Sequence, residues 1–121
     1  MDEVDSSAPS EPIAIVDDTR FDAHHDGSGS HPECPERLAA AREGLTLGLK
    51  EAARTTIPAR EVTTDELARV HSLHYVERLK SRLGNGYGHL DPDTYFSPGT
   101  REAAWLAAGG VVDMAHGLVD G

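Results

Sequence analysis

Apolar and polar positions change rhythm several times along the chain. After a polar start, Ile13-Ala14-Ile15-Val16 forms a continuous apolar run with three β-branched members, stopped by Asp17-Asp18. A short run of this kind between Pro12 and an Asp pair predicts a strand buried on both faces, as in a parallel sheet. From Leu38 the rhythm becomes helical: Leu38, Ala41, Leu45 and Leu49 recur at spacings of three and four, the stripe ending near Gly48. Pro35 suits the first helical position, where its missing N–H costs nothing, and Glu36 suits the positive end of the helix dipole. Arg37 leaves the first turn about 100° from Leu38, so it need not join Arg42 in solvent.

Ile57-Pro58 and Val62 flank a short extended piece. Thr63-Thr64-Asp65-Glu66 reads as a capping box opening a short helix through Val70. Ser72 reads as a second N-cap, with Val76, Leu79 and Leu83 on one face of the helix that follows. The stretch from Gly84 to Gly88 predicts a flexible loop, and Ser97-Pro98 a third cap and helix start. From Arg101 to Leu118, the residues Ala103, Ala104, Ala107, Ala108, Val111, Ala115 and Leu118 form one small-residue face about 30 Å long. Gly109-Gly110 within it costs about 1 kcal/mol per glycine relative to Ala, to be offset by close neighbours. One strand and four helices do not close a core. The pattern therefore predicts an incomplete fold whose last helix needs a further layer.

Charge narrows the function classes. With 21 acidic and 11 basic residues the formal charge is −10, which opposes binding to a phosphate backbone; no nucleic-acid partner is expected. A single cysteine, Cys34, excludes an internal disulfide and a thiolate-paired zinc finger. No run reaches the roughly 20 apolar residues of a membrane span, and the acidic N-terminus has no basic and apolar leader pattern, so no membrane partner and a cytoplasmic location are expected. Residues 1–12 read as a disordered acidic tail, and 13–121 as the ordered part.

Chemistry-bearing side chains concentrate in one loop: His24, His25, Asp26, His31, Glu33 and Cys34. They are the residue types of a metal site, but the adjacent His24 and His25 rarely converge on one ion, and a polar loop with structural hydrogen bonds explains them equally. His71 and His74 stand three apart, with the Ser72 cap between them. There is no H-E-x-x-H, G-x-S-x-G or phosphate loop, and Gly84-x-Gly86-x-Gly88 lacks the strand and helix that would give it meaning.

His31-Pro32-Glu33-Cys34-Pro35-Glu36-Arg37, Thr63-Thr64-Asp65-Glu66-Leu67, Val70-His71-Ser72-Leu73-His74-Tyr75 and Asp91-Pro92-Asp93-Thr94-Tyr95 occur in this order. Together they resemble the histone deacetylase family, most closely class II, bacterial deacetylase-like amidohydrolases and acetylpolyamine amidohydrolases. The resemblance implies the N-terminal portion of a single α/β domain of the arginase/deacetylase type, a parallel sheet flanked by helices, with Ile13–Val16 as its first strand. It implies a zinc-dependent parent enzyme that hydrolyses an N-acetyl amide, with acetyl-lysine or acetylpolyamine as substrate. Arg37 would line the internal path linked to acetate exit, where a guanidinium pairs a carboxylate in a fork. Asp93 would lie on the substrate rim, with Asp91 a rival for the same place. The family's zinc ligands and catalytic His dyad have no counterpart here, and His24-His25 lacks that dyad's preceding glycine. The expectation is a fragment with no catalytic residue and no metal ligand, inactive alone, which needs the remainder of the domain to cover the 101–118 helix. The alternatives are a non-catalytic acidic interaction module using that Ala-rich helix, and a small metalloprotein using His31 and Glu33.

Overall fold

The computed structural model describes residues 12–84 and 86–121; most of the 1–12 segment therefore lies outside the described residues. Strand β1, Ile13–Ile15, pairs in parallel with β2, Arg54–Thr56, in the register Ile13–Arg54, Ala14–Thr55 and Ile15–Thr56. The ladder is extended by the Ile57 amide, which donates to the Ile15 carbonyl at 2.9 Å. Parallel strands need a long crossover. Here it contains a 3₁₀ turn at Thr19–Ala23, the His-rich loop and helix α1, Pro35–Gly48. The expected first strand is present, one residue shorter than the apolar run. Its partner is not legible in the sequence, because Arg54-Thr55-Thr56 has neither apolar run nor alternation; it is a strand because β1 lies beside it.

Pro35 does occupy the first turn of α1, with Cys34 at the N-cap and no side-chain cap bond. The expected apolar stripe is not a core stripe: no residue of α1 is fully buried, and Leu45 is exposed. What secures the helix is Arg42, expected in solvent. Its guanidinium spans Asp17 (2.8 Å) and Asp22 (2.8 Å) and donates to the Asp18 carbonyl, tying α1 to the turn after β1.

The Thr63 capping box forms with both reciprocal bonds, Glu66 N to Thr63 Oγ1 at 3.1 Å and Thr63 N to Glu66 Oε1 at 2.9 Å. The helix it opens, α2, is only Thr64–Leu67; the chain runs on to His71 in isolated turns, leaving Val70 exposed. Ser72 caps α3, Leu73–Leu83, by accepting from the Tyr75 amide at 3.1 Å. Val76 and Leu83 are buried and Leu79 packs against them, as the periodicity requires.

Two further strands follow the expected loop, overlapping it only at Gly88. Strand β3, Gly88–Asp91, pairs antiparallel with β4, Thr94–Phe96, with an irregularity between His89 and Asp91. A Cβ at Gly88 would stand 2.5 Å from the Phe96 ring, so the glycine permits the crossing of a large aromatic. Gly99, not Ser97, occupies the N-cap of α4, Thr100–Asp120. Ser97 is fully buried two residues earlier, and its hydroxyl is used elsewhere.

Val62, Val76, Leu83, Phe96 and Trp105 form the core, with Leu67, Leu79, Ala108 and Val112 packed against it. The packing face of α4 is centred on Ala103, Trp105, Leu106, Gly109 and Gly110. Of the expected small-residue face, Ala103 is buried and Ala107 and Ala108 are half-buried, while Ala104, Val111, Ala115 and Leu118 are exposed. The two glycines have a packing reason. A Cβ on Gly109 would overlap the Arg60 carbonyl, and one on Gly110 would lie 2.5 Å from Val16 Cγ1. Arg60 fastens the same contact, gripping Glu66 at 2.8 Å and Asp113 at 3.0 Å.

Candidate functional site

The loop after β1 is clamped onto β4 and the start of α4. Its 3₁₀ turn begins where the Asp18 carboxylate accepts from the Arg20 amide at 2.9 Å. At the end of that turn, the Ala23 carbonyl accepts from the buried Ser97 hydroxyl at 2.7 Å, and Ser97 Oγ accepts from the His25 amide at 3.2 Å. His24 then lies face to face with Tyr95, with ring centroids 4.5 Å apart and planes 6° apart, while His31 meets the same ring edge-on at 4.8 Å. Such pairs contribute about 0.5–1.5 kcal/mol beyond the area they bury.

Both His24 nitrogens are used. Nδ1 lies 2.7 Å from Thr100 Oγ1 and Nε2 lies 3.1 Å from Glu33 Oε2. In the neutral imidazole, Nε2–H donates to the carboxylate and Nδ1 accepts the Thr100 hydroxyl, which in turn accepts from the Ser97 amide at 2.8 Å. The Tyr95 hydroxyl donates to the Glu33 carbonyl at 2.6 Å, and the Glu33 amide donates to His31 Nδ1 at 3.0 Å. Burial, aided by the nearby Glu33 and Asp26 carboxylates, pushes the Tyr95 hydroxyl above its ordinary pKa, so it stays a donor. Asp26 closes the tip of the loop: bonds from the Ser28 hydroxyl and the Gly29 amide hold its carboxyl at about 2. The loop residues are thus committed to hydrogen bonds and ring contacts.

That commitment bears on the metal question raised by the sequence. Among the described residues, no three His, Cys, Asp or Glu side chains are grouped as they would need to be to hold an ion. His25 turns towards Tyr87, at 5.7 Å, away from His24's partners, and the Cys34 thiol donates to the Pro32 carbonyl at 3.7 Å. His71 lies before the Ser72 cap against Tyr75, while His74 belongs to the first turn of α3. The zinc ion that the family resemblance implies finds no ligand set in these residues.

Arg37 is exposed on the first turn of α1, where it lines an open cavity of about 300 Å³ with Phe21, His24, Glu33, Leu38 and Tyr95. Among the described residues its guanidinium has no ion pair; the salt bridges that hold this helix to the preceding turn belong to Arg42. Asp93 is exposed in the turn between β3 and β4. The Asx bond of that turn is made by Asp91, whose carboxylate accepts from the Asp93 amide at 2.9 Å, leaving the Asp93 side chain facing outward. Thr100 is the participant that sequence reasoning missed. A threonine after Pro-Gly at a helix start gives no sign that it will meet a histidine 76 residues earlier.

Residues 31–121 match the histone deacetylase domain family. The chain is 32% identical over 120 residues to histone deacetylase 15 of Arabidopsis thaliana, covering 96% of this chain and 22% of that protein. It is 38% identical over 85 residues to a histone deacetylase-like amidohydrolase of Pseudomonas aeruginosa, covering 69% and 21%. With the human polyamine deacetylase HDAC10 it shares 35% over 101 residues, covering 74% and 15%. The crystal structure of the HDA15 HD domain superposes with a TM-score of 0.84 at 32% identity, over 93% of this chain and 33% of that one. The chain belongs to the histone deacetylase family, and its fold is part of that α/β deacetylase domain. It spans 15–22% of the length of the three curated relatives.

Proposed function

We propose that this chain is the N-terminal part of a zinc-dependent deacetylase domain that hydrolyses an N-acetyl amide, acetyl-lysine or an acetylpolyamine. The superposition on the HDA15 HD domain over 93% of the chain, at 32% identity, carries the proposal. Since the described residues hold no zinc ligand set, the metal and the hydrolytic step are assigned to residues outside them. What this part contributes is a wall and a rim. Arg37, whose guanidinium has no ion pair among the described residues, lines a cavity with Phe21 and Leu38, an arrangement suited to a departing acetate. Asp93 presents an exposed carboxylate in the turn between β3 and β4 that can accept hydrogen bonds from a substrate backbone. The remainder of the domain is the expected partner of α4, whose Leu118 and Val119 are each 84% exposed.

Two measurements test this. In the full-length protein containing this chain, Arg37→Ala is expected to lower kcat for acetyl-lysine or acetylpolyamine hydrolysis about tenfold, the value of one charge-assisted hydrogen bond, with unchanged thermal stability. The purified 121-residue chain is expected to release no acetate; robust zinc-dependent turnover by it overturns the assignment.

A further inference from the structure

A second cavity is lined by residues after the Ser72 cap and by β3. Tyr75, Arg78, Leu79 and Arg82 recur at the three- and four-residue spacings that place side chains on one stripe of α3. Leu79 borders both this stripe and the buried one through Val76 and Leu83, while Tyr75, Arg78 and Arg82 are exposed. The stripe faces Leu90 of β3 across an open groove of about 440 Å³. Two of its walls are apolar and accessible, Tyr75 at 46% and Leu90 at 39% exposure. Its cations differ in how they are held. Arg82 is pre-positioned: one N–H donates to the His89 carbonyl at 2.7 Å, and its guanidinium lies over the Phe96 ring at 5.9 Å, leaving further N–H donors for a ligand. Among the described residues Arg78 has no hydrogen bond or ion pair at its guanidinium.

The charge distribution indicates what the groove takes. Between Leu67 and the end of β3 at Asp91 stand Arg69, Arg78, Lys80 and Arg82 against the acidic Glu77 and Asp91, in a chain whose net charge is −10. This segment is a positive island in a negative field, which orients an approaching anion towards it and repels that anion elsewhere. The surrounding negative charge also disfavours an extended polyanion or an anionic membrane, whose charge runs on beyond the groove. We propose that the α3–β3 groove docks a short acidic peptide segment: carboxylates pair with the Arg78 and Arg82 guanidinium forks, and an apolar side chain seats between Tyr75, Leu79 and Leu90. None of these residues lines the Arg37 cavity and Asp93 is not among them, so peptide binding and acetyl-amide hydrolysis are read separately.

The test is fluorescence anisotropy of the full chain with a labelled peptide Glu-Glu-Phe-Glu-Glu-Leu-Glu, beside the same peptide carrying Gln at every Glu. Binding of the Glu peptide alone is expected. Arg78→Gln is expected to weaken it about tenfold, while Arg69→Gln, the same charge change outside the groove, alters it less than about twofold. Tyr75→Ser, on the apolar wall, is expected to weaken it as well, with the melting temperature of each variant confirming the fold. Equal binding of the Gln peptide, equal loss from Arg69→Gln and Arg78→Gln, or binding to phosphatidylserine vesicles without binding to the peptide overturns the proposal.

Discussion

Replacing Gly109 by Ala sets helix propensity against packing within a single methyl group. In an isolated helix the change favours folding by about 1 kcal/mol. In this fold the new Cβ overlaps the Arg60 carbonyl and stands 2.9 Å from the Val62 amide nitrogen, both backbone atoms that no rotamer change can move aside. Overpacking of this kind costs about 1–3 kcal/mol. The forced shift also breaks the bond from the Val62 amide to the Trp105 carbonyl, now 2.9 Å long, for about 1 kcal/mol more. Gly109→Ala should therefore destabilise the chain by about 1–3 kcal/mol net, a fall of roughly 1–2 M in urea midpoint at an ordinary slope. Gly117→Ala, on the same helix with nothing within 4 Å of its Cβ, should gain about 0.5–1 kcal/mol. Urea unfolding followed by far-UV dichroism and by the fluorescence of Trp105, the chain's single tryptophan, reads both. A Gly109→Ala variant as stable as the parent refutes the argument that a backbone contact, and not chance, placed glycine there.

Acid should unfold the chain through identified carboxyls. Glu66, Asp18 and Asp26 are each held at about 2, chiefly by the Arg60 guanidinium, the Arg20 guanidinium and the Ser28 hydroxyl respectively. A carboxyl depressed in the folded state adds stability above its unfolded pKa and loses it as pH falls through the folded value. Melting temperature is therefore expected to be level from about pH 7 to 5 and to fall between roughly pH 4.5 and 2, and a profile flat through that window contradicts the ion-pair geometry. Tyr95→Phe keeps the stack on His24 but removes the bond to the Glu33 carbonyl, at a cost of about 1 kcal/mol measurable in the same urea titration; an unchanged midpoint shows that the hydroxyl does not hold the loop. Arg37→Ala in the isolated chain should alter stability by less than about 0.5 kcal/mol, since the side chain is exposed and unpaired among the described residues; a larger loss assigns Arg37 a structural role instead of the substrate path.

Local chemistry alone determined several elements. The Thr63 capping box and the Ser72 cap are specified by neighbours within one turn, where a side chain and the backbone it caps are always in reach, and Ile13–Ile15 was marked by its own apolar run. The ordered motifs were sufficient to recognise the family. Tertiary structure decided the rest. Arg54–Thr56 and the Gly88–Phe96 hairpin exist because a partner strand or ring lies beside them, and a three-residue polar strand carries no period of its own. Arg42, not Arg37, became the paired cation because β1 delivers Asp17 and Asp22 to its side of α1. The histidine loop looked like a metal site by residue type. Folding brought Tyr95, Ser97 and Thr100 to it from more than 60 residues away, and spent its polar groups on them. Residue type states what a side chain can bind; only the long-range contacts decide what it does bind.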